Sequence, residues 1–532
     1  MKSFLSTVMA LIAISGLAHA ASSTPESLED RCKALASADF SHVQDAPTQV
    51  SDAKLTEGNG TLPAYCQVKG YIAPQVGFEI RLPANSWNGR FMETGCGGTC
   101  GRIMIGWLCP DALRRGYACI TTDMGHQDQS GGGLWAYNNL QAKVDWGFRA
   151  THVTALAGKA ITEQYYKKAP SKSYFVGCST GGRQGMVEAQ RFPWDFDGII
   201  AGAPASDQSG TIMVRLSAAL AMRGKDGRPI LSSTDLQFVH NAVLAACDMN
   251  DGVKDGLIGD PRACHFDPLK LACKGDAKTE CLSMDQANAL KKIYTGPMTS
   301  TGKEIYTDGA LMPGAELAFG SYFESESSSF DGDFLRYMAF VPAPGPSWRP
   351  SDVNFDRDYQ RFGMMEALYA GTNPDLRKFK AAGGKIILYH GWSDAGPGGI
   401  PPLKTVEYYE TAEKTMGGAA ATREFFRLFM IPGMGHCGGG EGADDIDYLS
   451  YLERWVEKGQ APDVMVGKHV DREQFLRTHN WNDEAFWEEF ARFRNDPKNL
   501  KFSRPVYPYP LRAKYNGHGD PKDAASFEPE SP

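Results

Sequence analysis

Two dipeptides in this sequence each place a cysteine beside a residue that could perform acyl-transfer chemistry. Cys178-Ser179 lies in the G-x-S-x-G segment 177–181, and His436-Cys437 lies far along the chain. A serine nucleophile and its histidine base must come within about 2.6–3.2 Å of each other. The two cysteines beside them would then also be neighbours, and cysteines whose Cα atoms are about 4.4–6.8 Å apart can form a disulfide. We therefore expect Ser179 and His436 to form a pair joined by a Cys178–Cys437 disulfide.

Asp394 supplies the third member of this group. It follows one predicted buried strand and His436 follows the next, so the chain order is serine, aspartate, histidine, as in α/β-hydrolases. In such a triad Ser179 attacks an ester carbonyl, His436 carries the proton, and Asp394 holds the imidazole tautomer. Three other polar residues near strand ends have no comparable cysteine neighbour, and we interpret them as surface or supporting residues: Asp123, His126 and His390.

An oxyanion hole requires two backbone N–H groups aimed at the developing negative charge. One should come from Thr180, the residue after the nucleophile. The second should come from the glycine-rich segment 95–98, through Gly97 or Gly98, and the sequence does not choose between these two. A plain glycine-rich turn is the alternative interpretation of this segment.

The elements that must position these residues alternate between strands and helices. Strand patterns cover residues 78–82, 117–122, 173–176, 196–201, 385–389 and 425–431, and helix patterns cover 146–166, 182–191, 448–457 and a segment that begins with the N-cap sequence 373–375. Such alternation predicts an α/β fold whose parallel sheet is covered by helices. With the order of the triad, it predicts an α/β-hydrolase sheet with helices on both faces.

A long middle segment, residues 206–380, interrupts the alternation. It is rich in aromatic residues and contains an Asp/Gly-rich loop. We interpret it as a lid domain inserted between the two parts of the hydrolase domain, 21–205 and 381–532. A separate binding domain is the alternative, but the position between two sheet strands favours a lid. After Phe502, prolines and charges predominate, and we expect little regular structure there.

The N-terminus has the pattern of a secretory signal peptide. Lys2 precedes an apolar run over residues 4–17, and Ala18-His19-Ala20 is an A-x-A cleavage site. A membrane anchor is the alternative, but the run is too short to span a bilayer comfortably. We expect cleavage after Ala20 and a periplasmic or extracellular enzyme without a membrane partner. The net charge of −8 argues against nucleic-acid binding, and nothing fixes the oligomeric state.

Export makes the 12 cysteines candidates for disulfides. Two short loops favour local Cys247–Cys264 and Cys273–Cys281 pairs. A zinc site at Cys96 and Cys100 is a weaker alternative, because no histidine pair stands nearby. The pairing of six cysteines stays open: Cys32, Cys66, Cys96, Cys100, Cys109 and Cys119.

The loop 248–257 has the composition of a calcium site. Ca²⁺ takes six to eight oxygen ligands from carboxylates and backbone carbonyls. Asp248, Asp251 and Asp255 would supply carboxylates, and Val253 and Leu257 would supply carbonyls. The terminal glutamate of an EF-hand is missing, and a solvated Asp-Gly turn is the alternative. We expect a structural Ca²⁺ ion that stabilises the lid.

These motifs together resemble the tannase and feruloyl esterase family of α/β-hydrolases, which includes hydrolases of mono(2-hydroxyethyl) terephthalate. The resemblance runs from about residue 32 to residue 459. It rests on Cys178-Ser179, on His436-Cys437 and on the acidic loop that follows Cys247. The chain departs from the family in three places: it has cysteines at 96 and 100, no cysteine after Cys437, and a glycine-rich segment at 395–399.

The resemblance implies esters of aromatic carboxylic acids, of the hydroxycinnamoyl, galloyl or terephthalate type. The aromatic lid segment 319–348 could bind the ring at Phe340, while Arg336 could pair with a carboxylate or phenolate. A lid core with a surface arginine is the alternative. We therefore expect a secreted serine esterase, with a non-catalytic aromatic-ligand binding protein as the alternative. A lipase is disfavoured because the lid lacks a long aliphatic run.

Overall fold

The structure is a computed structural model that describes residues 27–275, 280–306, 311–320, 329–396, 398–480 and 484–532. The predicted signal peptide and Pro397 lie outside these residues. No helix within the described ranges is both long and apolar enough to cross a bilayer.

A nine-stranded mixed sheet forms the centre of the molecule. Its strands are β1 (Thr48–Thr56), β2 (Tyr65–Ile72), β3 (Val76–Pro83), β4 (Arg90–Thr94), β5 (Ala118–Thr122), β6 (Lys172–Cys178), β7 (Gly198–Gly202), β8 (Lys385–Gly391) and β9 (Phe426–Ile431). They lie in the order β1-β2-β3-β5-β4-β6-β7-β8-β9. The first three strands and β5 pair antiparallel, and the pairs from β5 to β9 are parallel. The predicted parallel arrangement is confirmed for β5 to β9, but it was wrong for the predicted strand 78–82, which is β3 and pairs antiparallel with both of its neighbours.

Helices cover both faces of this sheet, as predicted. The helices are α1 (Leu28–Lys33), α2 (Ile105–Arg114), α3 (Leu140–Val144), α4 (Ala150–Tyr166), α5 (Thr180–Arg191), α6 (Gln208–Ala221), α7 (Ser233–Cys247), α8 (Met284–Thr295), α9 (Glu316–Phe319), α10 (Ser329–Asp333), α11 (Gly363–Tyr369), α12 (Arg377–Ala381), α13 (Pro402–Thr415), α14 (Ala419–Arg423), α15 (Tyr448–Lys458), α16 (Glu473–Thr478) and α17 (Glu484–Asn495). A π-helical turn, Asp145–Arg149, joins α3 to α4 and makes the predicted helix longer at its start.

One predicted helix begins later than the sequence pattern suggested. The side chain of Asn373 accepts a hydrogen bond from the Asp375 amide, and Asp375 in turn accepts from the Arg377 amide. These two side-chain turns satisfy the backbone without a helix, so α12 starts at Arg377.

The segment between β7 and β8 contains α6 to α12. Part of it has a hydrophobic core of its own, with Leu236, Val239, Leu290 and Phe319 among its buried members. We call residues 206–380 the lid.

The C-terminal segment is more regular than predicted. β10 (Met465–Val470) pairs antiparallel with β11 (Leu500–Val506), and β12 (Arg512–Tyr515) pairs with β13 (Phe527–Glu530). Each sheet has two strands, so every strand is an edge where a proline can be tolerated. The expectation of little regular structure after Phe502 was therefore wrong.

All 12 cysteines form disulfides. Besides Cys178–Cys437, Cys247–Cys264 and Cys273–Cys281, the pairs are Cys32–Cys66, Cys96–Cys100 and Cys109–Cys119. The alternative of a zinc site at Cys96 and Cys100 was wrong, because their sulfur atoms are bonded to each other.

Candidate active site

Ser179 lies in a sharp turn between β6 and α5. Its backbone has φ 63° and ψ −123°, a conformation that ordinary residues rarely adopt. The glycines around it allow this turn. A Cβ at Gly182 would lie 2.1 Å from the carbonyl oxygen of Gly202 in β7, and a Cβ at Gly177 would lie 2.6 Å from the backbone of Gly181. The turn raises Ser179 at the carboxyl end of the sheet, as in a nucleophile elbow.

Asp394 and His436 meet after β8 and β9. His436 Nδ1 lies 2.9 Å from Asp394 Oδ2, and the Ile400 amide donates to Asp394 Oδ1 at 3.0 Å. His390 Nε2 also lies 2.9 Å from Asp394 Oδ2, while its Nδ1 lies 2.8 Å from Thr405 Oγ1. The carboxylate is thus held from several sides in an orientation that fixes the His436 ring. His390 supports the aspartate and does not lie at the surface.

The charge of Asp394 is stabilised by its neighbours. Burial by itself would raise the pKa of this carboxyl group, but His436 and His390 lower its pKa to about 2. Asp394 therefore stays ionised at any pH at which an esterase would be assayed. An ionised carboxylate can hold one tautomer of His436 and stabilise its protonated form.

A disulfide joins the two ends of this arrangement. Cys178 and Cys437 are separated by 259 residues in sequence, and their Cα atoms are 5.8 Å apart. Ser179 and His436, next to these cysteines, line one cavity of about 500 Å³. The sequence expectation that the two dipeptides come together agrees with this geometry.

The predicted oxyanion residues line the same cavity. Thr180 begins α5, so its amide has no acceptor within the helix. The Thr180 hydroxyl donates to the carbonyl of Gly98 at 2.8 Å, which ties the glycine segment to the elbow. The Cys96–Cys100 disulfide closes this segment into a small ring. Gly97 and Gly98 both face the cavity, and the choice between them stays open.

The remaining walls were not predicted from the sequence. Trp107 of α2 and Trp487 of α17 have ring centroids 6.2 Å apart and form an aromatic wall. Other lining residues include Arg102, Met104, Asp128, Gln208, Arg215, Gly398 and Ile400. Trp107 and Trp487 are 380 residues apart in sequence, so no local pattern could have paired them. Arg102 could have been suspected because it follows the oxyanion segment closely.

Arg336 and Phe340 do not line this cavity. Arg336 is bound within the lid, where it donates to the carbonyl of Trp348 at 2.8 Å and pairs with Asp333 at 2.9 Å. Phe340 is 1% exposed and packs against Phe362. The prediction that these two residues contact substrate is therefore not supported by their positions, because both are committed to lid packing.

Asp123 and His126 are also structural. Asp123 is buried and its carboxylate accepts hydrogen bonds from the amides of Gly77 and Gly125. His126 stacks on Trp135 at 3.6 Å, and burial lowers the pKa of its imidazole to about 4. Both therefore stabilise the loop after β5, and neither belongs at the surface.

The acidic loop 248–257 folds around its own carboxylates. Asp248 accepts hydrogen bonds from the amides of Asp255 and Gly256, each at 3.1 Å. Asp251 accepts from the amide of Val253 at 3.2 Å. The Cys247–Cys264 disulfide closes the loop.

The three carboxylates of this loop have different surroundings. Burial raises the pKa of Asp251 to about 7, with further contributions from the charges of Asp255 and Asp248. Arg504 pairs with Asp255. Among the described residues, the ligand atoms of Asp248, Asp251 and Asp255 do not all lie within 4.8 Å of one another, so the structure does not show a preformed metal cage here. Carboxylate oxygens are the ligand type that Ca²⁺ prefers, and a Ca²⁺ ion at this loop stays a prediction.

Comparison with known proteins agrees with this geometry. A family model described as tannase and feruloyl esterase matches residues 60–529. The mono(2-hydroxyethyl) terephthalate hydrolase of Piscinibacter sakaiensis is 34% identical, over 90% of this chain and 87% of that protein. A probable feruloyl esterase of Arthroderma benhamiae is 36% identical, over 84% of this chain and 81% of that protein.

The solved structures agree as well. The crystal structure of feruloyl esterase B from Aspergillus oryzae superposes with a TM-score of 0.80 at 26% identity, covering 95% of this chain and 100% of that chain. The serine turn, the contact between Asp394 and His436 and the match to the family model all indicate the same family. The chain belongs to the tannase and feruloyl esterase family and is a carboxylic ester hydrolase with the α/β-hydrolase fold.

Proposed function

We propose that this protein hydrolyses esters of aromatic carboxylic acids through Ser179, His436 and Asp394. The observation that carries the proposal is the 2.9 Å contact between His436 Nδ1 and Asp394 Oδ2, beside the cavity that Ser179 lines. With Nδ1 bound to the aspartate, Nε2 of His436 is left to accept the serine proton.

The reaction follows from these positions in two halves. Ser179 Oγ attacks the ester carbonyl as His436 takes its proton, and the tetrahedral oxyanion accepts hydrogen bonds from the Thr180 amide and from Gly97 or Gly98. Collapse breaks the ester C–O bond, and His436 gives the proton to the leaving alcohol. Water, deprotonated by His436, then hydrolyses the acyl-enzyme and releases the acid.

An aromatic acyl group suits the walls of the cavity. Trp107 and Trp487 offer ring faces, and Met104 adds a flexible apolar contact. One relative is named a mono(2-hydroxyethyl) terephthalate hydrolase and another a probable feruloyl esterase. The substrate is accordingly a hydroxycinnamoyl, galloyl or terephthalate-type ester.

Two further parts of the proposal concern the environment of the enzyme. Residues 1–20 direct export to the periplasm or the medium, an oxidising location that suits six disulfides. Asp248, Asp251 and Asp255 hold a structural Ca²⁺ in the lid. The ion contributes stability there and takes no part in the hydrolysis.

Initial rates on methyl ferulate, methyl gallate and mono(2-hydroxyethyl) terephthalate test the function. We expect turnover of at least one ester, and a loss of about 10³-fold or more in Ser179→Ala, His436→Ala and Asp394→Asn. Circular dichroism should show that each variant folds. A folded parent that binds these esters but hydrolyses none would instead favour the non-catalytic binding protein. Turnover retained in one variant would reassign the role of that residue.

A further inference from the structure

The ester cavity contains a cation without a partner. Arg102 lines the cavity and is half-buried. In the described part of the chain its guanidinium has neither a hydrogen bond nor an ion pair. A guanidinium presents five N–H donors and cannot lose its charge, so an uncommitted one in a cavity is suited to an anionic ligand.

The other arginines considered for this role are committed elsewhere. Arg215 also lines the cavity, but it pairs with Asp331 at 2.7 Å, and both side chains are nearly fully buried. Arg336 pairs with Asp333 at 2.9 Å inside the lid. Binding a substrate anion through either arginine would require breaking a partly or fully buried ion pair, which is costly.

The backbone holds Arg102 in place beside the reaction centre. Its neighbour Gly101 has φ 77° and accepts a hydrogen bond from the Asp128 amide at 2.9 Å. A Cβ at Gly101 would lie 2.9 Å from that amide nitrogen, so only glycine permits this approach. In sequence Arg102 lies between Gly98 and Trp107, and all three residues line the cavity.

We propose that Arg102 binds a carboxylate carried by the aromatic acyl group of the substrate and makes the enzyme prefer anionic aromatic esters. The proposal rests on the esterase function proposed above. A planar carboxylate can accept two parallel hydrogen bonds from a guanidinium, and the acyl ring can lie against Trp107 and Trp487.

Asp128 is the one opposing charge to consider among the described residues of this wall. Its Oδ1 accepts hydrogen bonds from the amide and hydroxyl of Ser130, and it makes no ion pair with Arg102. It leaves the guanidinium free, yet its charge would repel an anionic substrate. Substitution of Arg102 and substitution of Asp128 should therefore change substrate preference in opposite directions.

The test compares two esters of the same shape and different charge. Monomethyl terephthalate carries a carboxylate, and methyl 4-carbamoylbenzoate carries a neutral amide in its place. The quantity measured is the ratio of kcat/KM for the anionic ester to kcat/KM for the neutral ester. We expect Arg102→Gln to lower this ratio about tenfold or more, chiefly through KM, since a charge-assisted hydrogen bond is lost.

Matched variants sharpen the comparison. Arg102→Lys keeps the charge without the planar fork and should retain part of the preference. Asp128→Asn should raise the ratio. Activity on the neutral ester shows that each variant is folded. If Arg102→Gln does not fold, the ratios measured for the two single variants Arg102→Lys and Asp128→Asn test the proposal in its place.

The outcomes separate this inference from the esterase proposal. Calorimetric binding of monomethyl terephthalate to Ser179→Ala protein, with and without Arg102→Gln, measures the contact without turnover. Weaker binding in the double variant supports the role of Arg102 even if the ester is a poor substrate. An unchanged ratio and unchanged binding in Arg102→Gln would overturn the inference, while hydrolysis of methyl ferulate would leave the esterase function intact.

Discussion

The backbone at Ser179 depends on the small residues that surround it. Its positive φ would be costly for a serine in an ordinary turn, and tight packing of Gly177, Gly181 and Gly182 against the neighbouring backbone holds it there. Backbone strain of this kind is typical of a nucleophile whose side-chain oxygen must be exposed to the substrate.

Gly182→Ala should disrupt this turn. The added Cβ would lie 2.1 Å from the Gly202 carbonyl oxygen, a backbone atom within β7 that cannot move without disturbing the sheet. We expect a loss of about 1–3 kcal/mol or more in the free energy of unfolding, together with lost activity. Thermal denaturation measures the first and ester assays the second.

Gly363→Ala is the matched control for that variant. A Cβ at Gly363 meets nothing within 4 Å at the start of α11, so the change should be neutral or slightly stabilising. Equal melting temperatures for Gly182→Ala and the parent would contradict the packing argument.

The sequence predicted the residues whose chemistry is tied to a local pattern. Ser179, Asp394 and His436 each follow a strand, and parallel strands bring such residues to one edge of a sheet. Arg336 could not be placed, because an arginine in an aromatic segment is equally suited to bind Asp333 or a substrate. The partner of Arg336 can be identified only from the tertiary structure of the lid.

At the scale of elements, His240 on α7 links the lid to the loop that carries His436. Its Nδ1 lies 2.9 Å from Glu316 of α9, and its Nε2 lies 3.4 Å from Glu441. Burial would lower the pKa of His240, but these two carboxylates raise the pKa to about 9. The protonated imidazole therefore holds two elements together at neutral pH.

His240→Gln should destabilise the protein in a pH-dependent way. A group whose pKa is raised on folding contributes its stability fully below the unfolded value of 6.5 and loses it as pH rises through about 9. The difference in melting temperature between parent and variant should be largest near pH 6 and small near pH 9.5. Its size corresponds to on the order of 2 kcal/mol, because Glu441 is half-exposed and its share is screened.

Glu441→Gln provides the control for this contact. It removes only the exposed partner, so its effect should be smaller than that of His240→Gln. A destabilisation that does not change with pH would show that the charge of His240 contributes nothing.

The Cys178–Cys437 disulfide joins β6 to the loop after β9. Replacing both cysteines by alanine should lower stability by about 2–5 kcal/mol and also lower kcat, because the serine and histidine lose their covalent link. Replacing Cys273 and Cys281 in the lid removes a bond that closes only 8 residues. That control should keep kcat near the parent value. Equal kcat losses in the two double variants would contradict a specific role for the first bond.

At the scale of the whole molecule, the calcium ion proposed at the lid loop 248–257 would make stability depend on a cation. Chelation with EGTA should lower the melting temperature by several degrees, and added Ca²⁺ should restore it, since a ligand present at about 100 times its Kd contributes about 2.7 kcal/mol. The rate per folded molecule should change little, because the loop does not line the ester cavity.

Asp251→Asn tests whether that response comes from the loop. The substitution removes a buried carboxylate of the proposed site, so the variant should melt at a lower temperature in Ca²⁺ and respond weakly to EGTA. If the melting temperature of the parent protein changes with neither EGTA nor added Ca²⁺, the calcium site is excluded.

The fold as a whole could be predicted where buried strands alternate with helices. β6 to β9 are short apolar runs, and their type and order follow from the sequence. β1 was not predicted, and a bulge between Val50 and Asp52 breaks its alternation of buried and exposed residues. β11 to β13 were missed because their prolines suggest irregular chain, yet edge strands accept them.

The 259-residue separation of Cys178 and Cys437 also has a consequence for biosynthesis. Ribosomes make a chain from its N-terminus, so the serine is complete long before the histidine exists. The shorter-range cysteine pairs of the first half can already oxidise at that stage, whereas Cys178 must await the final quarter of the polypeptide. A product that terminates before residue 436 would lack the proposed base, so ester cleavage through this triad requires synthesis to have passed that residue.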